Sequence, residues 1–172
     1  MQQKKKTTKK GRGAQIDPHN RFEKNSYTER NDFKEHKRLE SEEDPNKTKY
    51  IEIFPKTIVN KVESPDVPMD YSMNPYQGCE HGCVYCYARP THEYWGYSSG
   101  LQFENTILIK KNAPQLLEEK INSKAWKGKP IMLSGNTDCY QPIEQKLEVT
   151  REILKVFLKH KHPVGIITKN AL

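Results

Sequence analysis

Apolar residues and cysteine are both scarce in this chain. Apolar side chains make up 34% of its 172 residues, against 30% that are charged. That excludes an evenly filled core and requires the apolar material to be concentrated in part of the chain. No apolar run approaches the length of a bilayer span, and no apolar stretch follows the first lysines as it would in a secretory leader. The expectation is a cytoplasmic protein with no membrane partner. Cysteine occurs four times. In a reducing cytosol this speaks against a disulfide framework and leaves metal or redox chemistry as the use for any cluster of thiols.

Sustained apolar periodicity is missing from residue 1 to about 46, where Phe22, Tyr27 and Phe33 stand isolated among polar and charged residues. Negative charge is absent from the first twelve residues, MQQKKKTTKKGR, which hold six of the 29 basic residues. The remaining 23 face 22 acidic residues, so the formal charge of +7 falls to +1 without that tail. The basic signal is local and reads as a solubilising or loosely RNA-associating tail, not as a nucleic-acid reading surface. Residues 1–49 are therefore expected to form a disordered basic and charged arm. Within it, GRGAQIDPHNRFE (Gly11 to Glu23) is punctuated like a strap that orders on contact, and residues 50–172 form the folded part.

Apolar patterning begins at Tyr50. YIEIFPKTIVNKV alternates like a strand broken at Pro55, and YSMNPYQGC reads as a short strand entering a loop. The run Thr106 to Ile109 is β-branched. The segment from Ala113 to Trp126 places Leu116, Leu117, Ile121 and Ala125 on one helical face, with Asn112 at the N-cap and Pro114 in the first turn. KPIMLSGNTD is a buried-type strand running into a polar loop. Residues Ile143 to His162 form one amphipathic helix with Ile143, Leu147, Thr150, Ile153, Leu154, Phe157 and Leu158 inward, and PVGIITKNAL supplies a further strand. Strand and helix in alternation with short connections define an α/β protein with a parallel sheet or barrel. The chain ends before a helix could cover the last strand, so the expectation is the front portion of a longer protein.

Three of the four cysteines, Cys79, Cys83 and Cys86, fall within GCEHGCVYCYAR. A C-x3-C-x2-C loop can turn its three thiolates toward one point, with Gly78 and Gly82 supplying backbone freedom at the turns. Structural zinc would need a fourth ligand, for which His81, His92 and Cys139 are the candidates. Iron–sulfur clusters usually take four cysteines as well; three would leave one iron with an open position for a substrate or cofactor.

The loop after a parallel strand is where α/β proteins bind ligands, which selects Ser134 to Asp138. Thr137 and Asp138 can accept hydrogens from an ammonium group, or Asp138 can cap the helix beginning near Pro142. Cys139 is either a small buried hydrophobe or a reactive thiol beyond that strand. Lys169 and Asn170 end the following strand in the same way.

CEHGCVYC resembles the C-x3-C-x-aromatic-C signature of the radical S-adenosylmethionine (SAM) superfamily. With GRGAQIDPHNRFE, YSMNPYQGCEHGCVYCYARP, FENTILIKKNAP, SGNTDCYQPIE and IITKN, the chain resembles an uncharacterised bacterial radical SAM family related to the spore photoproduct lyase group of DNA-repair enzymes. The resemblance implies the first half of a (β/α)6 TIM-like barrel. It implies that Cys79, Cys83 and Cys86 hold a 4Fe–4S cluster whose fourth iron is chelated by SAM, so that an electron from flavodoxin or ferredoxin releases a 5′-deoxyadenosyl radical. Tyr85, Ser134, Gly135, Thr137 and Asp138 would then bind the cofactor, with Tyr85 near the adenine, and Cys139 would stand where the photoproduct lyases carry a hydrogen-donating cysteine. The substrate is unnamed, with damaged DNA implied by the kinship alone. The rival from another class is a zinc-stabilised binding module without catalytic activity.

Overall fold

The computed structural model describes residues 9–24 and 47–170. The expected disordered tail up to residue 8 and the linker over 25–46 lie outside the described residues.

Among the described residues seven strands form two mixed sheets. In the first, β5 (Thr106–Lys110) lies between β1 (Lys49–Ile53), its parallel neighbour, and β4 (Tyr76–Gln77), which runs antiparallel to it. All five residues of β5 are buried, as a strand paired on both edges and covered on both faces must be. The second sheet has β2 (Asn60–Lys61) antiparallel to β3 (Tyr71–Met73), followed by β6 (Ile131–Leu133) and β7 (Val164–Ile166), each parallel to the strand before it. In register, Met73 pairs with Leu133 and Leu133 with Ile166, so β3, β6 and β7 point their carboxyl ends the same way. Parallel neighbours need long crossovers, and helices supply them.

Those crossovers are α2 (Ala113–Asn122), after the single turn α1 (Gln102–Asn105), and then α3 (Glu144–Leu147) and α4 (Val149–Lys159). Among the described residues the sheets do not close into a barrel. The β-branched run is β5, in the first sheet, and β3 lies beside β6 in the second.

The helices depart from expectation at their ends. Asn112 stands at the N-cap of α2, but its side-chain amide donates to the Pro55 carbonyl at 3.0 Å and does not cap the helix. Ala125 lies beyond the helix end at Asn122. The single helix expected over Ile143 to His162 is two, broken at Glu148 with φ of +50°. Glu144 accounts for the break. Its buried carboxylate accepts the Arg151 amide (3.2 Å) in the first turn of α4, doing from the preceding turn what a cap residue would do, and also accepts the Tyr76 hydroxyl. The inward face of α4 is Val149, Thr150, Ile153 and Phe157, while Leu158, expected inward, is 78% exposed. These side chains meet Leu117 of α2 and Ile131 and Leu133 of β6 in the main core.

Residues 9–24 are not part of a free arm. They lie across the segment from a 3-10 helix (Arg89–Trp95) to α1, the strap that the glycine, proline and asparagine punctuation implies. The Leu101 amide donates to Ile16 O (3.1 Å), the Gln102 amide to Asp17 Oδ1 (2.7 Å) and the Asn20 side chain to Glu93 O (2.9 Å). An irregular segment with few internal hydrogen bonds gains partners this way, and so the boundary drawn at residue 49 does not divide the described chain.

Candidate metal centre

The cysteine loop leaves β4 through Gly78, whose φ is +83°, and turns again at Gly82, φ +62°. A β-carbon on Gly78 would stand 2.6 Å from the Thr106 carbonyl oxygen, so glycine is required there for space as well as for conformation. The Cys79 amide donates to Phe103 O (2.8 Å), and Gln141 clamps the loop by donating to Gly78 O (2.9 Å) and accepting from the Glu80 amide (3.0 Å). Arg89 holds the far side through two hydrogen bonds to Cys83 O, 3.1 Å from Nε and 2.9 Å from Nη2.

All four cysteines are free thiols. Cys79, Cys83 and Cys86 line one cleft of ≈ 490 Å³, facing Ser134, Gly135, Asn136 and Asp138 after β6 and Ile167 to Lys169 after β7. Cys79 is buried and the other two are half-buried. Burial pushes the Cys79 thiol up to about 11, with neighbouring backbone hydrogen bonds opposing. A metal must therefore displace a proton there. Among the described residues no three His, Cys, Asp or Glu side chains converge closely enough to form a ready-made metal site. The three thiols share a cleft without meeting at a point. As a donor set, three soft thiols on one loop fit a thiophilic metal or an iron–sulfur cluster.

The loop after β6 divides its labour. Ser134, φ +71°, and Gly135 line the cleft, and the Gly135 carbonyl accepts the Tyr87 hydroxyl, tying this loop to the cysteine loop. Asp138 reaches the cleft, but its oxygens are engaged: Oδ1 accepts the Tyr140 amide and Thr168 hydroxyl, both at 2.8 Å, and Oδ2 accepts the Lys169 amide at 2.7 Å. It caps no helix, for α3 has no side-chain cap. Thr137, expected at the cofactor, turns inward: it is buried, off the cleft, and its hydroxyl donates to Tyr76 O at 2.5 Å.

Cys139 is also off the cleft. It is fully buried in the main core, its carbonyl accepts the Thr150 hydroxyl (2.8 Å), and burial pushes its thiol up to about 11. This is the packing role expected of a small hydrophobe, and it does not bring the thiol to the other three. Tyr85 lines the cleft while remaining 79% exposed.

Of the other zinc-ligand candidates, His81 lines the cleft, with Nε2 3.5 Å from Asp138 Oδ2. His92 does not; it is buried against Tyr97 and Phe103. Lys169 does reach the cleft, donating to Cys83 Sγ at 3.2 Å, and that bond raises its pKa. Asn170 donates instead to Tyr140 O (2.9 Å). Tyr87 was not expected as a site residue. Its signal was its place one residue past the last cysteine, where a second aromatic can reach across the mouth of the cleft.

The chain is similar to uncharacterized proteins from distant sources. One from Mycobacterium tuberculosis (strain H37Rv) is 34% identical over 124 residues, 72% of this chain and 36% of that protein. One from Methanocaldococcus jannaschii is 35% identical over 126 residues, 73% of this chain and 44% of that protein. The chain thus spans less than half the length of these curated relatives. No protein-family model matches the chain. No solved structure matches it either.

Proposed function

We propose that the chain is the cluster-binding portion of a radical SAM protein, with Cys79, Cys83 and Cys86 as ligands of a 4Fe–4S cluster and β3, β6 and β7 as successive strands of a half-barrel. The observation that carries the reading is that three free thiols of one loop line a single cleft with the loops leaving the carboxyl ends of the parallel strands β6 and β7, while the fourth cysteine is packed in the core. A bound cluster and SAM would supply one-electron cleavage of the sulfonium and hydrogen abstraction from a substrate. The chain's own residues hold and enclose. Gly78 and Gly82 let the loop turn, Arg89 and Gln141 fix its backbone, and Ser134, Gly135 and Asn136 form the opposite wall. Lys169 sets a positive charge beside Cys83, which favours an anionic group of a ligand there. Tyr85 offers an exposed ring at the mouth for an adenine. Thr137 and Cys139 have no part in this version, because neither lines the cleft.

A second reading rests on His81, which shares the cleft and would complete a three-cysteine, one-histidine zinc site. Anaerobic reconstitution with iron and sulfide separates the two. Four irons per chain, a thiolate-to-iron absorption band and a spin-resonance signal altered by added SAM are expected for the first reading. Tight binding of one zinc with no iron uptake would overturn it. DNA repair is the substrate proposal, tested by whether damaged DNA stimulates deoxyadenosine release from the full-length protein; no stimulation removes it.

A further inference from the structure

The strap and the cysteine loop meet at one buried carboxylate. Glu104, fully buried in α1, accepts the Gly13 amide at Oε2 (2.9 Å) and the Ala14 amide at Oε1 (2.7 Å), and pairs with Arg89 Nη2 at 2.5 Å. Arg89 is the residue that grips Cys83 O and, through Nη1, also Gly100 O (3.1 Å). A second line of hydrogen bonds runs along the other flank. Arg12 donates to Thr48 Oγ1 (2.9 Å), and Thr48 donates to Glu80 Oε1 (2.8 Å), between the first two cysteines. The approach is close. A β-carbon on Gly13 would lie 1.9 Å from Gly82 O in the cysteine loop, and one on Gly100 would lie 2.1 Å from Ile16 O in the strap.

A buried carboxylate is stable only while its donors are in place. Lifting the strap removes two amide donors from Glu104 and leaves it Arg89 among the described residues, and the same guanidinium must keep its hold on Cys83. Hydrogen bonds that share a charged hub strengthen and weaken together. We propose that residues 12–20 act as a clasp, with Glu104 as its positioning residue, so that seating of the strap and ordering of the cysteine loop are one coupled step. The inference rests on the reading of that loop as the metal site, and it assigns the strap a function that the cysteine motif alone does not imply.

The test uses the full chain, metal-free and reduced, with Gly100→Ala to lift the strap at Ile16, where the added β-carbon would collide, and Glu104→Gln to remove the hub's charge without changing its shape. Alkylation of each cysteine by iodoacetamide is read by mass spectrometry beside hydrogen exchange of residues 13–20, and iron uptake is then measured. In both variants strap protection should fall and Cys79 alkylation should rise at least about tenfold, as expected for loss of a hydrogen bond to a charged group. Cys139, buried in the main core, should stay unchanged. Iron uptake should slow in step. Strap release with unchanged Cys79 reactivity, unchanged strap protection in both variants, or a parallel rise at Cys139 would each overturn the clasp, the last because it signals general unfolding. If the unaltered protein takes up no iron, the metal reading falls, while the thiol rates in metal-free protein still decide the coupling.

Discussion

Gly78 and Gly96 have nearly the same backbone conformation, φ +83° and +81°, yet a β-carbon meets very different surroundings at the two. At Gly96 it finds nothing within 4 Å; at Gly78 it meets Thr106 O at 2.6 Å, Phe103 O at 3.0 Å and His92 Cε1 at 3.2 Å. Gly96→Ala should therefore carry only the left-handed penalty of about 1–2 kcal/mol. Gly78→Ala adds overpacking against two backbone carbonyls that cannot rotate away, about 1–3 kcal/mol more, for roughly 2–5 kcal/mol in all. At about 2–4 °C per kcal/mol for a chain of this size, melting should fall by about 2–8 °C for Gly96→Ala and by about 4–20 °C for Gly78→Ala. The pair is compared by thermal unfolding of the metal-free protein followed by iron reconstitution. Because Cys79 hydrogen-bonds to Phe103 O, one of the atoms displaced, Gly78→Ala should also lose iron uptake, whereas Gly96→Ala should keep it. Equal melting losses in the two variants would refute the contact argument, and normal iron loading in Gly78→Ala would refute the claim that this turn sets the place of Cys79.

Replacing Cys79, Cys83 or Cys86 with alanine should abolish iron binding in each case, whereas Cys139→Ala should retain it and cost on the order of 1 kcal/mol in stability, read by elemental analysis and thermal unfolding. Tyr76→Phe leaves a buried Glu144 oxygen without its hydroxyl donor and should cost about 1.5–3 kcal/mol in a denaturant titration. His92 is fully buried, neither ring nitrogen makes a well-formed hydrogen bond, and burial lowers its pKa from 6.5 to about 4. Between those pH values the unfolded chain takes up a proton that the folded chain refuses, so the stability present above pH 6.5 is lost progressively as pH falls toward 4. His92→Phe should flatten that part of the stability profile, and an unchanged slope would assign the acid sensitivity to another group.

Periodicity made the helices and several strands legible: the inward faces of α2 and α4 and the β-branched β5 are visible as patterns. What it could not show was decided by single long-range contacts. The break between α3 and α4 depends on Glu144 meeting Tyr76, 68 residues earlier in the chain, and nothing in EQKLEVTRE announces it. The placement of β5 beside β1 is a choice between two apolar edges that the same pattern satisfies. The thiols were legible from spacing because they sit on one loop, and for the same reason the spacing could not say whether they meet at a point or share a cleft. The sequence left two alternatives at Cys139 and placed Thr137 at the cofactor for a common reason. After a strand end, alternate residues face opposite ways, and the sequence does not mark which of them turns back into the core.

Asn74 and Asp138 show why the loops at the carboxyl ends form one wall. Asn74, just after β3, accepts the amides of Asn136 (2.9 Å) and Thr137 (3.3 Å) from the loop after β6. Asp138, at the far end of that loop, accepts the Thr168 hydroxyl and the Lys169 amide from the loop after β7. Two short polar side chains thus join three successive strand exits, each taking backbone donors that would otherwise be left without partners in the loops. Asp138 is for this reason a structural tie before it is a ligand. An amine approaching the wall meets a carboxylate whose strongest acceptor directions are already used, so the Asn136 side chain and backbone carbonyls are the acceptors left to it among the cleft residues of this loop.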